Sequence, residues 1–71
     1  MELKKLYEIA NKEHIDIINF KMKNKAIIGY YNNYCIIGLN YSKIHSYKEE
    51  KCILAEELGH YYYSAYYTLN S

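Results

Sequence analysis

Two apolar runs mirrored about a pair of asparagines dominate the middle of this chain. In "AIIGYYNNYCIIGLN", Ala26–Tyr31 and Tyr34–Leu39 flank Asn32-Asn33. β-Branched and aromatic residues at this density suit strands. Asparagine tolerates positive φ better than most residues, so the pair suits a tight hairpin turn. Gly29 and Gly38 fall nearly symmetrically about that turn, as bulges or as places where another backbone approaches closely.

The flanking segments supply the other elements. Leu3, Leu6, Tyr7 and Ala10 recur at i, i+3, i+4 and i+7, the apolar stripe of a helix over about residues 2–13. "HIDIINF" follows, with Ile15, Ile17, Ile18 and Phe20, and reads as a strand. "KMKNK" is polar and suits a loop or an exposed strand end. Ser46 and Glu49 fit a capping box, and Glu49 and Glu50 lie where carboxylates favour the helix dipole. A long helix is expected from about Tyr47 to about Tyr66. The expected class is α+β: an N-terminal helix, a small three-stranded antiparallel sheet with a hairpin, and a C-terminal helix packed on one face.

Seventy-one residues make one small domain, 1–71, and small domains bury a lower fraction of their surface. A hydrophobic content of 51% argues against disorder, and with no proline and three isolated glycines nothing reads as a linker. The formal net charge of +1 calls for no nucleic-acid or acidic partner, and all nine basic residues are lysine. Without arginine there is no planar fork for bidentate phosphate or base-edge contacts, so direct nucleic-acid reading is disfavoured. The N-terminal "MELKKLYEIA" lacks the apolar core of a signal peptide, and no run approaches the roughly 20 apolar residues of a membrane span. Cys35 and Cys52 have no CxxC spacing. A cytoplasmic address with reduced thiols follows.

The chemistry-bearing stretch is "CILAEELGHYYY", Cys52–Tyr63. Helical residues lie about 100° apart, so Leu54, Leu58, Tyr61 and Ala65 cluster as a core face. Glu56, His60, Tyr63 and Tyr67 form a second stripe on the far side, and Glu57 falls between the two. Side chains at i and i+4 stand about 6 Å apart along the axis and can reach one ion. A glutamate directly after the first ligand stands beside the water that the ion activates, where it can accept a proton. The metallopeptidase signature with this spacing is His-Glu-x-x-His. Here Glu56 holds the first ligand position, Glu57 the general-base position and His60 the second ligand position. A carboxylate is an acceptable zinc ligand, although its charge weakens the polarising power of the ion. Catalytic zinc takes three protein ligands and an open position; His14, His45 and Cys35 are further candidates, and spacing selects none of them. A solvated polar helix face could carry the same letters.

With its context, "EEKCILAEELGHYY" resembles the active-site helix of ImmA/IrrE-type metallopeptidases. "IIGYYNNYCIIGLNYSKI" resembles their hairpin, which ends in an Asn just before the connection to that helix. The order helix, strand, hairpin, helix is similar too. The resemblance implies a minimal zincin-like core and a zinc-dependent endopeptidase of phage or mobile elements that cleaves a helix-turn-helix repressor. It also implies Glu57 as general base, His60 as zinc ligand, and Glu56 where the first histidine usually stands. In that family a downstream helix supplies a third, usually acidic, ligand, and a chain ending at Ser71 is expected to be a fragment or a short form lacking that C-terminal region. The alternative is a non-catalytic remnant or interaction module that binds a repressor or other partner without cutting it.

Other residues carry simpler expectations. Gly59 reads as close packing against a strand, with room for a substrate backbone as the functional counterpart. Tyr61 reads as core. Tyr63 and Tyr67 read as ordinary amphipathic burial or an interface, with a peptide groove or oxyanion contact as the sharper alternative. His14 and His45 read as capping or surface residues, and Cys35 and Cys52 as small buried hydrophobes.

Overall fold

The computed structural model describes residues 2–70, with the side chains of residues 2–65. The elements are α1 (Leu3–Lys12), β1 (Asp16–Asn19), β2 (Ala26–Tyr31), β3 (Tyr34–Leu39), a 3-10 turn (Tyr41–Lys43) and α2 (Tyr47–Asn70). Both helices lie on one face of a three-stranded sheet, an α+β fold in two layers. Leu3, Leu6 and Ala10 of α1, Cys35, Ile37 and Leu39 of β3, and Leu54 and Leu58 of α2 are buried together between the layers.

The hairpin forms as its turn residues dictate. Asn32 and Asn33 have φ of 49° and 67°, the two positive-φ positions of a type I′ turn, whose twist matches that of the flanking strands. The β2–β3 register runs unbroken from Tyr31↔Tyr34 to Ala26↔Leu39 through both glycines, so neither marks a bulge. Gly38 is nevertheless crowded: a Cβ there would sit 3.2 Å from Ile27 Cγ2 and 3.3 Å from Phe20 Cβ, whereas one at Gly29 would meet nothing within 4 Å.

The sheet is mixed rather than wholly antiparallel. Its order is β1-β3-β2, with β1 parallel to β3 in the register Asp16↔Ile36 to Asn19↔Leu39. The physical reason lies in β3. A strand has two hydrogen-bonding edges, and the tight hairpin commits only one of those of β3. β1 takes the other, which sets Ile17 beside Ile37 and brings α1 alongside α2.

Residues 20–25 therefore strap across the end of β3, and Asn40 holds the strap down. This buried side chain donates from Nδ2 to the Met22 carbonyl at 2.6 Å and accepts at Oδ1 from Ser42 Oγ at 2.5 Å. Its backbone N–H donates to the Lys25 carbonyl at 2.8 Å and its own carbonyl accepts from the Lys43 N–H at 2.9 Å. A buried amide with all its groups engaged specifies one loop geometry.

The helix ends are capped by identifiable chemistry. At the C-terminus of α1, His14 takes φ 59°; its N–H donates to Asn11 O at 3.1 Å and the Ile15 N–H donates to Ala10 O at 2.8 Å. That is a Schellman motif, with Ile15 and Ala10 supplying its buried apolar contact. Glycine usually fills this position, because a side chain raises the energy of the left-handed conformation by roughly 1–2 kcal/mol. Since the His14 side chain is exposed, His14→Gly is expected to stabilise the fold by about 1 kcal/mol, read as a higher urea midpoint.

At the N-terminus of α2, Ser46 Oγ accepts the Glu49 N–H at 3.0 Å, as the capping box requires. Glu49 reaches back one residue further than usual, to the His45 N–H at 3.0 Å, and also accepts from Lys25 Nζ at 2.6 Å. Those two contacts, Lys25 first, hold its carboxyl below the ordinary carboxylate range. Glu50 accepts the Tyr7 hydroxyl at 2.6 Å, and Tyr7 shares a second 2.6 Å bond with the Tyr41 hydroxyl. Burial and these bonds push the Tyr7 phenol well above its ordinary value, so it remains a donor that pins α1 to the start of α2.

Candidate metal centre

α2 presents two different sides, as its periodicity predicts. Leu54 and Leu58 are buried against the sheet and Tyr61 is half-buried. The Tyr61 hydroxyl donates to Glu13 Oε1 at 3.1 Å, tying α2 to the end of α1. Glu56 and His60 occupy the opposite, solvent-facing side with 73% and 59% of their side chains exposed, and Glu56 Oε1 lies 3.9 Å from His60 Nε2. Glu57 sits between the two sides and is half-buried.

One potential ligand atom from each of Glu56, Glu57 and His60 lies within 4.8 Å of the others, the one such group of three or more His, Cys, Asp or Glu side chains among the described residues. His14, His45, Cys35 and Cys52 do not join it. His14 and His45 serve at helix ends. Cys35 is buried in the core as expected, but Cys52 is exposed. It falls one turn before Glu56 on the solvent stripe, a position the helical wheel already assigns to solvent.

The electrostatics single out Glu57. Its Oε2 is buried and has no hydrogen-bond partner among the described residues. Burial pushes its carboxyl above the ordinary range, nearby His60 pulls it down and Glu56 adds to the rise. The influence reaches the core: burial, then the Glu57 charge, raises the Cys35 thiol. An orphaned carboxylate oxygen in a half-buried position calls for a proton, a water or a cation.

The donor set suits a divalent cation. Two carboxylates and an imidazole match the hard and borderline ligands of zinc. Ligands at about 2.0–2.1 Å from a tetrahedral ion stand about 3.3 Å apart, so the 3.9 Å pair of Glu56 and His60 closes onto an ion by a small side-chain rotation. Both side chains are solvent-exposed and free to make it.

Two expectations for neighbouring residues change. Gly59 does not pack on a strand; it is exposed, and a Cβ there would meet nothing within 4 Å. With no native contact to lose, Gly59→Ala is expected to stabilise the chain by about 1 kcal/mol, because glycine is a poor residue for a helix interior; thermal melting checks this. Tyr63 is 64% exposed rather than buried. The side chains of Tyr66 and Tyr67 lie outside the described residues.

No family model, no curated protein and no solved structure matches the chain. Among the described residues, no helix is long and apolar enough to cross a membrane.

Proposed function

We propose that this chain is a zinc-dependent metallo-endopeptidase of the ImmA/IrrE type, acting in the cytoplasm on a helix-turn-helix repressor without itself contacting nucleic acid or membrane. The observation that carries the reading is the unpartnered Glu57 Oε2 beside the Glu56–His60 pair. Glu56 and His60 would hold the ion. When bound there, zinc would supply Lewis-acid chemistry for peptide hydrolysis. Glu57 takes the proton of the attacking water at Oε2 and returns it to the leaving amine, a role suited to a carboxylate whose affinity for protons is raised by burial. The bare helix surface at Gly59 leaves room for an extended peptide to pass close to the site.

A second reading, a non-catalytic module that binds a repressor or other partner without cutting it, is favoured by the exposure of Glu56 and His60. Two exposed ligands leave an ion with several water positions, and no other described side chain joins the group.

Metal analysis of the purified protein separates the readings. Stoichiometric zinc, lost in the Glu56→Ala, His60→Ala double variant, together with chelator-sensitive cleavage of a repressor, supports the peptidase. Metal-free protein that holds a repressor intact, with stability indifferent to chelator, supports the binding module and rejects the peptidase.

A further inference from the structure

Both helices cover the same face of the sheet, and the opposite face is bare and apolar. Alternation along the strands sends Ile18 and Phe20 of the β1 edge, Ile27 and Tyr31 of β2, and Ile36 of β3 to that side. Ile18, Phe20, Ile27 and Tyr31 are 42%, 50%, 51% and 74% exposed. They surround a shallow depression of about 290 Å³ whose floor includes Gly29 and Gly38. Asp16 of β1 also lies on this face, where its carboxylate accepts the Tyr34 hydroxyl at 2.7 Å.

We propose that this face is a symmetric homodimer interface, in which the sheets of two copies pack face to face. The first argument is area. The exposed parts of Ile18, Phe20, Ile27, Tyr31 and Tyr34 amount to roughly 600 Å², the upper end of what a monomer leaves exposed and close to the ~800 Å² per partner of a stable interface once backbone and rim are added. The second is shape. Phe20 lies beyond the C-terminal end of β1, at the Leu39 end of β3, and Tyr31 lies at the opposite end of the opposite edge strand. These rings stand at diagonal corners of the face with the glycine depression between them. A two-fold axis in the interface plane, perpendicular to that diagonal, sets Phe20 of each copy against Tyr31 of the other.

The product is a helix–sheet–sheet–helix sandwich, a standard way of burying two sheet faces. It adds the apolar burial that a domain of this size lacks alone. Glu56 and His60 lie on the solvent-facing side of α2, and Glu57 lies between that side and the core, all on the helix-covered face of the sheet, so a dimer through the opposite face leaves both copies of that group open.

Sedimentation equilibrium of the full chain at micromolar concentrations tests the proposal. The expected mass is twice 8.5 kDa. Ile27→Asp and Tyr31→Lys should each return the monomer with an unchanged far-ultraviolet spectrum; the Tyr31 side chain is mostly in solvent, so its replacement leaves the fold intact. A wild type that stays monomeric at tens of micromolar overturns the proposal. So does a dimer whose mass both folded variants retain, or a monomer that instead binds neutral phosphatidylcholine vesicles through this face.

Discussion

Glu57→Gln is expected to abolish repressor cleavage, by a factor of at least ~10², while the protein still takes up zinc through Glu56 and His60. The substitution keeps the shape of the side chain and removes its ability to accept a proton. Retained cleavage in the variant would exclude Glu57 as the base. A second, metal-free readout comes from the buried orphan oxygen. Because the folded carboxyl is raised above its ordinary range, folding favours the protonated form. The stability associated with Glu57 is therefore complete below the ordinary carboxylate range and is lost as pH rises through the raised value. In chelator at neutral pH, Glu57→Gln should melt above the wild type, and the gap should close on acidification. Glu49, whose carboxyl is lowered, contributes with the opposite sign: present above the ordinary range, lost as pH falls below it. That contribution is common to both proteins, so their difference isolates Glu57.

Asn40→Ala is expected to lower stability by about 2–3 kcal/mol, a large share of what a domain this small possesses. The variant leaves the Met22 carbonyl without its donor, frees Ser42 and opens a void under the strap. Asn40→Asp should be worse, because it keeps the Ser42 bond but points a carboxylate oxygen at the Met22 carbonyl. Urea unfolding monitored by circular dichroism gives both values. An unchanged midpoint in Asn40→Ala would show that the strap stands without this anchor.

Much of the fold was legible in the residues, for reasons that differ by element. The stripe Leu3–Leu6–Tyr7–Ala10 and the Ser46–Glu49 cap are local signals, and the helices they predict lie within a few residues of α1 and α2. The paired asparagines likewise named their own turn. The direction of β1 was not legible, because it depends on which edge of β3 remains open, a property of the assembled sheet. The place of His14 beside an element end marks it as a capping or surface residue, and it is both, but its left-handed Schellman geometry was not legible because the usual glycine is absent. Asn40 was visible only as the letter that closes the hairpin, and its four partners come from residues up to 18 positions away. Within the candidate metal centre, the i, i+1, i+4 spacing of Glu56, Glu57 and His60 places three potential ligand atoms within 4.8 Å of one another. The uncharted part was the isolation of Glu57 Oε2, since that follows from how α2 settles over β3.

The mixed sheet has a consequence for assembly. Along the β2 edge of β3, partners are separated by 3 residues at Tyr31↔Tyr34 and by 13 at Ala26↔Leu39. Along the β1 edge every pair is separated by 20 residues. Closing a longer loop costs more chain entropy, so the two edges of one strand stand at unequal entropic distance from the open chain. β3, whose side chains fill the centre of the core, is thus a seam between a locally wound hairpin and a helix–strand unit that has to come to it from afar.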